Sequence, residues 1–169
     1  MAEIQIVDGF DPQRLYEALP CEDGGGRIAR YPMFDGVSAM LIRLETHGFQ
    51  EQRQQRDGME INFCVSGRFE SSFTSRDQVA LGYYEGVCID VDCARAAQWM
   101  SQHAAPLAPD FAALRENLLG SQWYIMESAG PRREHVFREL FENLPYFHRE
   151  YLQLKTLELF MLLRSVPRE

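Results

Sequence analysis

The 169 residues, 46% of them hydrophobic and 12% aromatic, suffice for one packed core and are short for two full domains. A net charge of -8, with 17 basic residues scattered among 25 acidic ones, excludes a surface that clusters cations against duplex phosphates. No apolar run approaches the roughly 20 residues that cross a bilayer, and the opening MAEIQIVDGF lacks a secretory pattern, so a chain without a membrane partner and a cytoplasmic location are expected.

In chain order, a short strand is expected at residues 4–7, then a brief helix capped by Asp11 with Pro12 at its first position, ended by Pro20. Residues 27–34 and 37–44 flank Asp35-Gly36, a strong two-residue hairpin signal. Residues 51–58 (EQRQQRDG) form a polar loop. Met59, Ile61, Phe63 and Val65 then alternate with Glu60, Asn62 and Cys64, the period of a strand with one apolar face. A three-residue loop of Val65, Ser66 and Gly67, with the glycine at positive φ, sets Phe63 opposite Phe69 and Met59 opposite Phe73. Glu60, Asn62, Arg68 and Glu70 then share the polar face; a two-residue loop would turn Arg68 and Glu70 onto the apolar one.

Gly82 and Gly86 bracket Tyr83-Tyr84, and Val87, Ile89 and Val91 alternate with Cys88, Asp90 and Asp92 in a further strand. Helical periodicity begins at Cys93: one short helix over 94–100, and another over 111–119 capped by Asp110 and stopped at Gly120. No element is assigned to 122–127. Two helices close the chain, the first with Val136, Phe137, Leu140, Phe141 and Leu144 as one broad stripe between Pro131 and Pro145. In the second, residues 157–163 hold Glu158 as their single charge, and a helix apolar on most sides must be covered on most sides. It is expected to pack on the core and to meet a second copy of the chain, with Tyr151, Leu152, Leu159, Phe160 and Leu163 as dimer contacts.

These elements make an α+β chain: a small antiparallel β-barrel or sandwich over residues 1–92, and a helical part over 93–169 within the same compact domain. Cys21, Cys64, Cys88 and Cys93 contain no CxxC pair, and His47, His103, His135 and His148 show no HxH or HExxH, so neither a metal nor another cofactor is expected.

The strings Glu60-Ile61-Asn62-Phe63-Cys64, Gly67-Arg68-Phe69-Glu70 and Gly82-Tyr83-Tyr84-Glu85-Gly86 resemble the N-terminal regulatory domain of AraC-type bacterial transcriptional regulators. His135-Val136-Phe137-Arg138-Glu139-Leu140-Phe141, followed by Tyr151-Leu152-Gln153-Leu154-Lys155-Thr156-Leu157-Glu158-Leu159, resembles the helix pair that precedes the DNA-binding domain in one branch of that family. The resemblance covers roughly residues 58–163 and implies a cupin-like barrel that binds a small-molecule effector, homodimerises through its helices and controls a C-terminal domain with two helix-turn-helix motifs. That domain lies outside this chain, so DNA is a partner only through it. The stretch between Phe73 and Gly82 is shorter than the family's, which carries another hairpin there.

For an effector, the expected lining is Glu60, Asn62, Arg68 and Glu70, with Tyr83 and Tyr84 at the mouth. The plainer reading of the same residues is a solvated sheet face. Two other functions compete: a small carboxylate-based enzyme with Glu60 and Glu70 as acid and base and Arg68 on an anionic substrate, and a standalone protein that pairs with full-length regulators. No nucleophile motif accompanies those carboxylates, so no catalytic residue is assigned.

Overall fold

The computed structural model describes residues 4–10, 26–46, 49–50, 57–67, 70–71, 77–79, 82–120, 124–126, 131–144, 146 and 148–164. Its strands are β1 (Ile4–Asp8), β2 (Gly26–Phe34), β3 (Val37–Thr46), β4 (Phe49–Gln50), β5 (Gly58–Gly67), β6 (Glu70–Ser71), β7 (Asp77–Val79), β8 (Gly82–Asp92) and β9 (Tyr124–Met126). Its helices are α1 (Cys93–His103), α2 (Phe111–Leu119), α3 (Pro131–Asn143) and α4 (Arg149–Arg164), with a 3-10 turn at Ala105–Leu107. The expected helix at 11–19 lies outside the described residues. Among those described, no helix is long and apolar enough to cross a membrane.

The fold is α+β. The main sheet runs β1-β2-β3-β8-β5-β9, with the four central strands antiparallel and the two edge strands parallel to their neighbours. A separate three-stranded sheet has the order β4-β7-β6. With β1 and β9 at its edges, the main sheet is not closed among the described residues.

The Asp35-Gly36 turn joins β2 and β3 as its chemistry requires, with Gly36 at φ 81°. Among the described residues the second expected hairpin is not made. Phe63 lies opposite Val87 and Met59 opposite Val91, both of β8, while the other edge of β5 pairs Ile61 with Ile125 and Asn62 with Met126. Glu70 and Ser71 pair instead with Val79 and Gln78. Gly67 does have positive φ, 89°, but in a bulged end of β5 that continues pairing as far as Tyr84. A Cβ there would strike the Tyr83 carbonyl, so glycine is needed for strand approach rather than for a hairpin loop.

One face of the main sheet carries Ala29, Tyr31, Met33, Val37, Ala39, Leu41, Met59, Ile61, Phe63, Val87, Ile89 and Val91, all buried in one cluster with the helices. At roughly 1.5–3 kcal/mol per fully buried large side chain, this layer dominates the stability of the fold. From α3 it receives Val136, Phe137, Leu140 and Leu144, the predicted stripe, with Phe137 stacked on Phe63 at 5.1 Å. From α4 it receives Leu152, Leu159, Phe160 and Leu163, and Phe160 meets Phe111 edge-on at 5.3 Å. Thr156, fully buried among them, satisfies its hydroxyl on the Leu152 carbonyl at 2.9 Å.

The residues expected as dimer contacts lie on the inward side of α4. Leu152, Leu159, Phe160 and Leu163 fill the subunit's own core, and Tyr151 packs half-buried against it. What α4 presents outward is Leu154, 61% exposed, and Met161, 48% exposed, two turns further on.

Candidate functional site

The opposite face of the main sheet is built in rows fixed by the strand register. Ile28, Ile42, Gly86 and Cys64 make one row; Arg30, Met40, Cys88 and Asn62 the next; Pro32, Ser38, Asp90 and Glu60 the third. The face is therefore graded. At one end Ile42, Leu44, Tyr84 and Cys88 are buried together, with Ile28, Met40 and Cys64 packed on them. At the other end the buried groups are polar: Ser38, Asn62 and Asp90. Burial also pushes the Tyr84 phenol and the Cys64 thiol up from their ordinary values, so both stay neutral near pH 7.

The expected lining is brought together only in part. Glu60 and Asn62 do share this face, and Tyr84 lies on it, but buried in the apolar end rather than at a mouth. Tyr83 points to the other side of the sheet and is 41% exposed. Glu70 belongs to the three-stranded sheet, away from the β5 ladder that was to hold it beside Asn62. Arg68 lies outside the described residues.

Where the β2–β3 turn meets the start of α1, the polar end opens into a cleft of about 450 Å³ lined by Arg30, Pro32, Phe34, Asp35, Gly36, Val37, Ser38, Asp90, Asp92 and Arg95. Its frame is rigid for identifiable reasons. The Asp92 N–H donates to the Gly36 carbonyl at 2.8 Å, and the Asp92 carboxylate caps α1 by accepting the Arg95 N–H at 3.1 Å. A Cβ on Gly36 would collide with the backbone nitrogen of Ala96, so the turn sits on the helix as only glycine allows. Arg95 forms an ion pair with Asp35 across the rim.

Inside this frame, Arg30 donates from Nε to the Ser38 hydroxyl at 3.1 Å, and its Nη2 stands 3.7 Å from the Asp90 carboxylate. Asp90 is 7% exposed and Arg30 49%, so an almost buried acceptor lies beside a half-open guanidinium. The β-strand pattern marked Asp90 only as a polar alternation. Its proximity to Arg30 depends on a register between strands sixty residues apart, which periodicity does not carry.

The cleft is mechanically continuous with the helices. The β2 register shifts between Pro32 and Phe34, a bulge that leaves Met33 outside the ladder with β3 and turns both Met33 and Phe34 onto the helical face. Phe34 stacks on Trp99 of α1 at 4.6 Å and meets Phe160 of α4 edge-on at 6.4 Å. The Met33 carbonyl accepts a hydrogen bond from Gln153 of α4. On the outer side, Lys155 bridges Glu139 of α3 at 2.5 Å and Glu158 of its own helix at 2.9 Å, while His135 lies 3.5 Å from Glu158. The two closing helices are thus tied together as one unit.

Among the described residues, no group of three His, Cys, Asp or Glu side chains is arranged to hold a metal ion. No family model matches the chain, and neither a curated protein nor a solved structure matches it.

Proposed function

We propose that this chain is the ligand-sensing and dimerisation domain of an AraC-type transcriptional regulator, a cupin-like unit that controls a helix-turn-helix domain lying outside it. The observation that carries this reading is the division of labour between the two faces of the main sheet. One face is sealed by α3 and α4; the other carries an open cleft whose lining includes the buried Ser38 and Asp90. A concave volume with a few recessed polar groups in its wall has the composition of a small-molecule site.

Phe34 and the Met33–Gln153 hydrogen bond supply the route from that cleft to α4. An effector that favours one seating of β2 also favours one seating of α4, provided its affinity differs between the two. The outward Leu154 and Met161 are where α4 meets a second copy in this reading, replacing the buried residues of the same helix. The acidic net charge leaves DNA contact to the other domain.

The test joins this chain to a DNA-binding domain that occupies its operator only as a dimer. Repression of a reporter, lost when Leu154 and Met161 are both replaced by glutamate, is the expected result. A monomer by sedimentation at high micromolar concentration, with no repression by the fusion, would overturn the proposal.

A further inference from the structure

We infer that the cleft-bearing face of the main sheet binds a small neutral molecule through the side-chain amide of Asn62, and that this ligand presents a donor and an acceptor side by side, as a carboxamide, a lactam or a pyrimidine edge does. The inference rests on the sensing function proposed above and names the chemistry of its ligand.

Asn62 breaks the local rule of its strand. It stands in the middle of β5, between β8 and β9, where asparagine is among the least favoured residues, and it is only 9% exposed. Its side-chain amide, with two donors and an acceptor oxygen, makes no hydrogen bond among the described residues. The neighbours explain why. Cys88, directly across on β8, is fully buried, and Cys64, two residues along β5, turns its thiol to the Ser66 and Gly67 carbonyls at 3.5 and 3.6 Å. On one diagonal Gly86 has no side chain, and the Tyr84 phenol lies over it: a Cβ there would stand 2.6 Å from the phenol oxygen. A buried amide without partners is costly, so an asparagine kept in this place serves something other than the stability of the chain alone.

The register sets this amide beside the cleft. Asn62 shares its row with Arg30, and its other diagonal neighbour on β8, about 7–8 Å away, is Asp90; both of these line the cleft. Toward the opposite end the face is filled by Ile42, Leu44 and Tyr84, so the approach to Asn62 is from the cleft side, with Met40 and Cys88 as apolar floor for the ligand's body. Charge then decides the class. Glu60 and Asp90 are already partnered, and Arg30 is held by Ser38 and Asp90, so a charged ligand would have to displace existing contacts to find a counter-charge. An anion would also stand beside two carboxylates. A neutral amide meets the Asn62 amide without that conflict: each donates one N–H and accepts one, and two hydrogen bonds close with no charge taken out of water.

Calorimetric titration of the full chain with benzamide, benzoate, benzylamine and benzyl alcohol, four head groups on one ring, tests the class; 2-piperidone and uracil extend it to a lactam and a pyrimidine. Binding of at least one of the three amides is expected, with benzoate and benzylamine at least about tenfold weaker (about 1.4 kcal/mol). Asn62→Leu keeps the bulk and removes the amide, so it should abolish that binding and raise the melting temperature, because a partnerless polar group leaves the interior. Arg138→Gln on the outer face of α3 should leave the affinity unchanged. A folded Asn62→Leu chain that still binds the amide, or one that melts lower than the parent, makes Asn62 structural and overturns the inference. If Asn62→Leu does not fold, Asn62→Gln, which moves the amide by one methylene, decides: unaltered affinity overturns the assignment, and a loss of at least about tenfold supports it. Benzoate binding as tightly as benzamide overturns the ligand class. Binding of benzoate, benzylamine or benzyl alcohol with no amide bound overturns the class and leaves the sensing function standing. Binding of none of these compounds removes the ligand class, and with the fusion also inactive it removes both.

Discussion

The backbone carbonyl of Met33 in β2 accepts its hydrogen bond from the side-chain amide of Gln153 in α4, across the one place where β2 leaves its ladder with β3. A bulge normally leaves a polar backbone group to be satisfied elsewhere, and here a helix side chain does so. Gln153→Leu should therefore remove a donor while keeping the bulk, leaving the carbonyl short of a partner at a cost of about 1–3 kcal/mol. Urea denaturation measures the loss, and amide exchange should locate it: faster exchange in α4, with the centre of β8 little changed.

Two glycines with positive φ should respond differently to the same substitution. Gly36, at φ 81°, would place a new Cβ against the Ala96 backbone, whereas Gly120, at φ 56°, has open space around it. Gly120→Ala is expected to cost about 1–3 kcal/mol in backbone conformation alone, since φ 56° with ψ -117° suits only glycine. Gly36→Ala should cost more, about 2–4 kcal/mol, because the turn must also back away from α1 and the Asp92–Gly36 hydrogen bond must stretch. Thermal melts of the two variants side by side check the order; equal losses would contradict the close turn–helix approach.

Local chemistry carried much of this fold, and pairing between distant segments did not. The Asp35-Gly36 hairpin, the Asp110 cap and the Gly120 stop of α2 depend on neighbouring residues, and all stand as the pattern predicts. The alternation of β5 likewise shows which side chains face the helices. It says nothing of which strand lies alongside. The nearest segment in sequence lost to β8, an eleven-residue strand that pairs with β5 along its whole length. The Arg30–Asp90 pair was hidden for the same reason. On α4, an apolar circumference told how much of the helix is covered but not whether its own sheet and α2 or a second chain covers it; Phe160, wedged between Phe34 and Phe111, shows the former at its centre.

Core and outward positions on α4 should separate cleanly. Phe160→Ala empties a fully buried site touching α2 and β2 and should cost about 3–5 kcal/mol, with the chain less folded at any concentration. Leu154→Glu changes a residue 61% exposed and should alter stability by less than about 0.5 kcal/mol in the monomer. Its effect belongs in association, so sedimentation velocity across a concentration series should show the sedimentation coefficient of the variant flat where the parent chain's rises. A rise identical in both would place any self-contact elsewhere on the surface.

The ionic tie between α3 and α4 has a definite signature in pH. Glu158 is held below its ordinary 4.5, chiefly by the hydrogen bond from Lys155, and Lys155 is held above its ordinary 10.5, chiefly by Glu139 and then by Glu158. For Glu158 the folded state binds its proton less readily than the unfolded chain, so its contribution is complete above 4.5 and is lost as pH falls through the folded value. For Lys155 the sign is opposite: the contribution is complete below 10.5 and is lost as pH rises through the folded value. Between these limits the tie is fully present. Glu158 is 38% exposed, so solvent screening keeps the acid-side loss under about 1 kcal/mol. Lys155→Met removes the partner that lowers Glu158, and the difference in unfolding free energy between parent and variant should shrink as pH drops below 4.5. Chemical denaturation of both chains from neutral pH downward measures that difference; a gap constant through this range would mean that Lys155 acts by packing along its stem rather than by its charge.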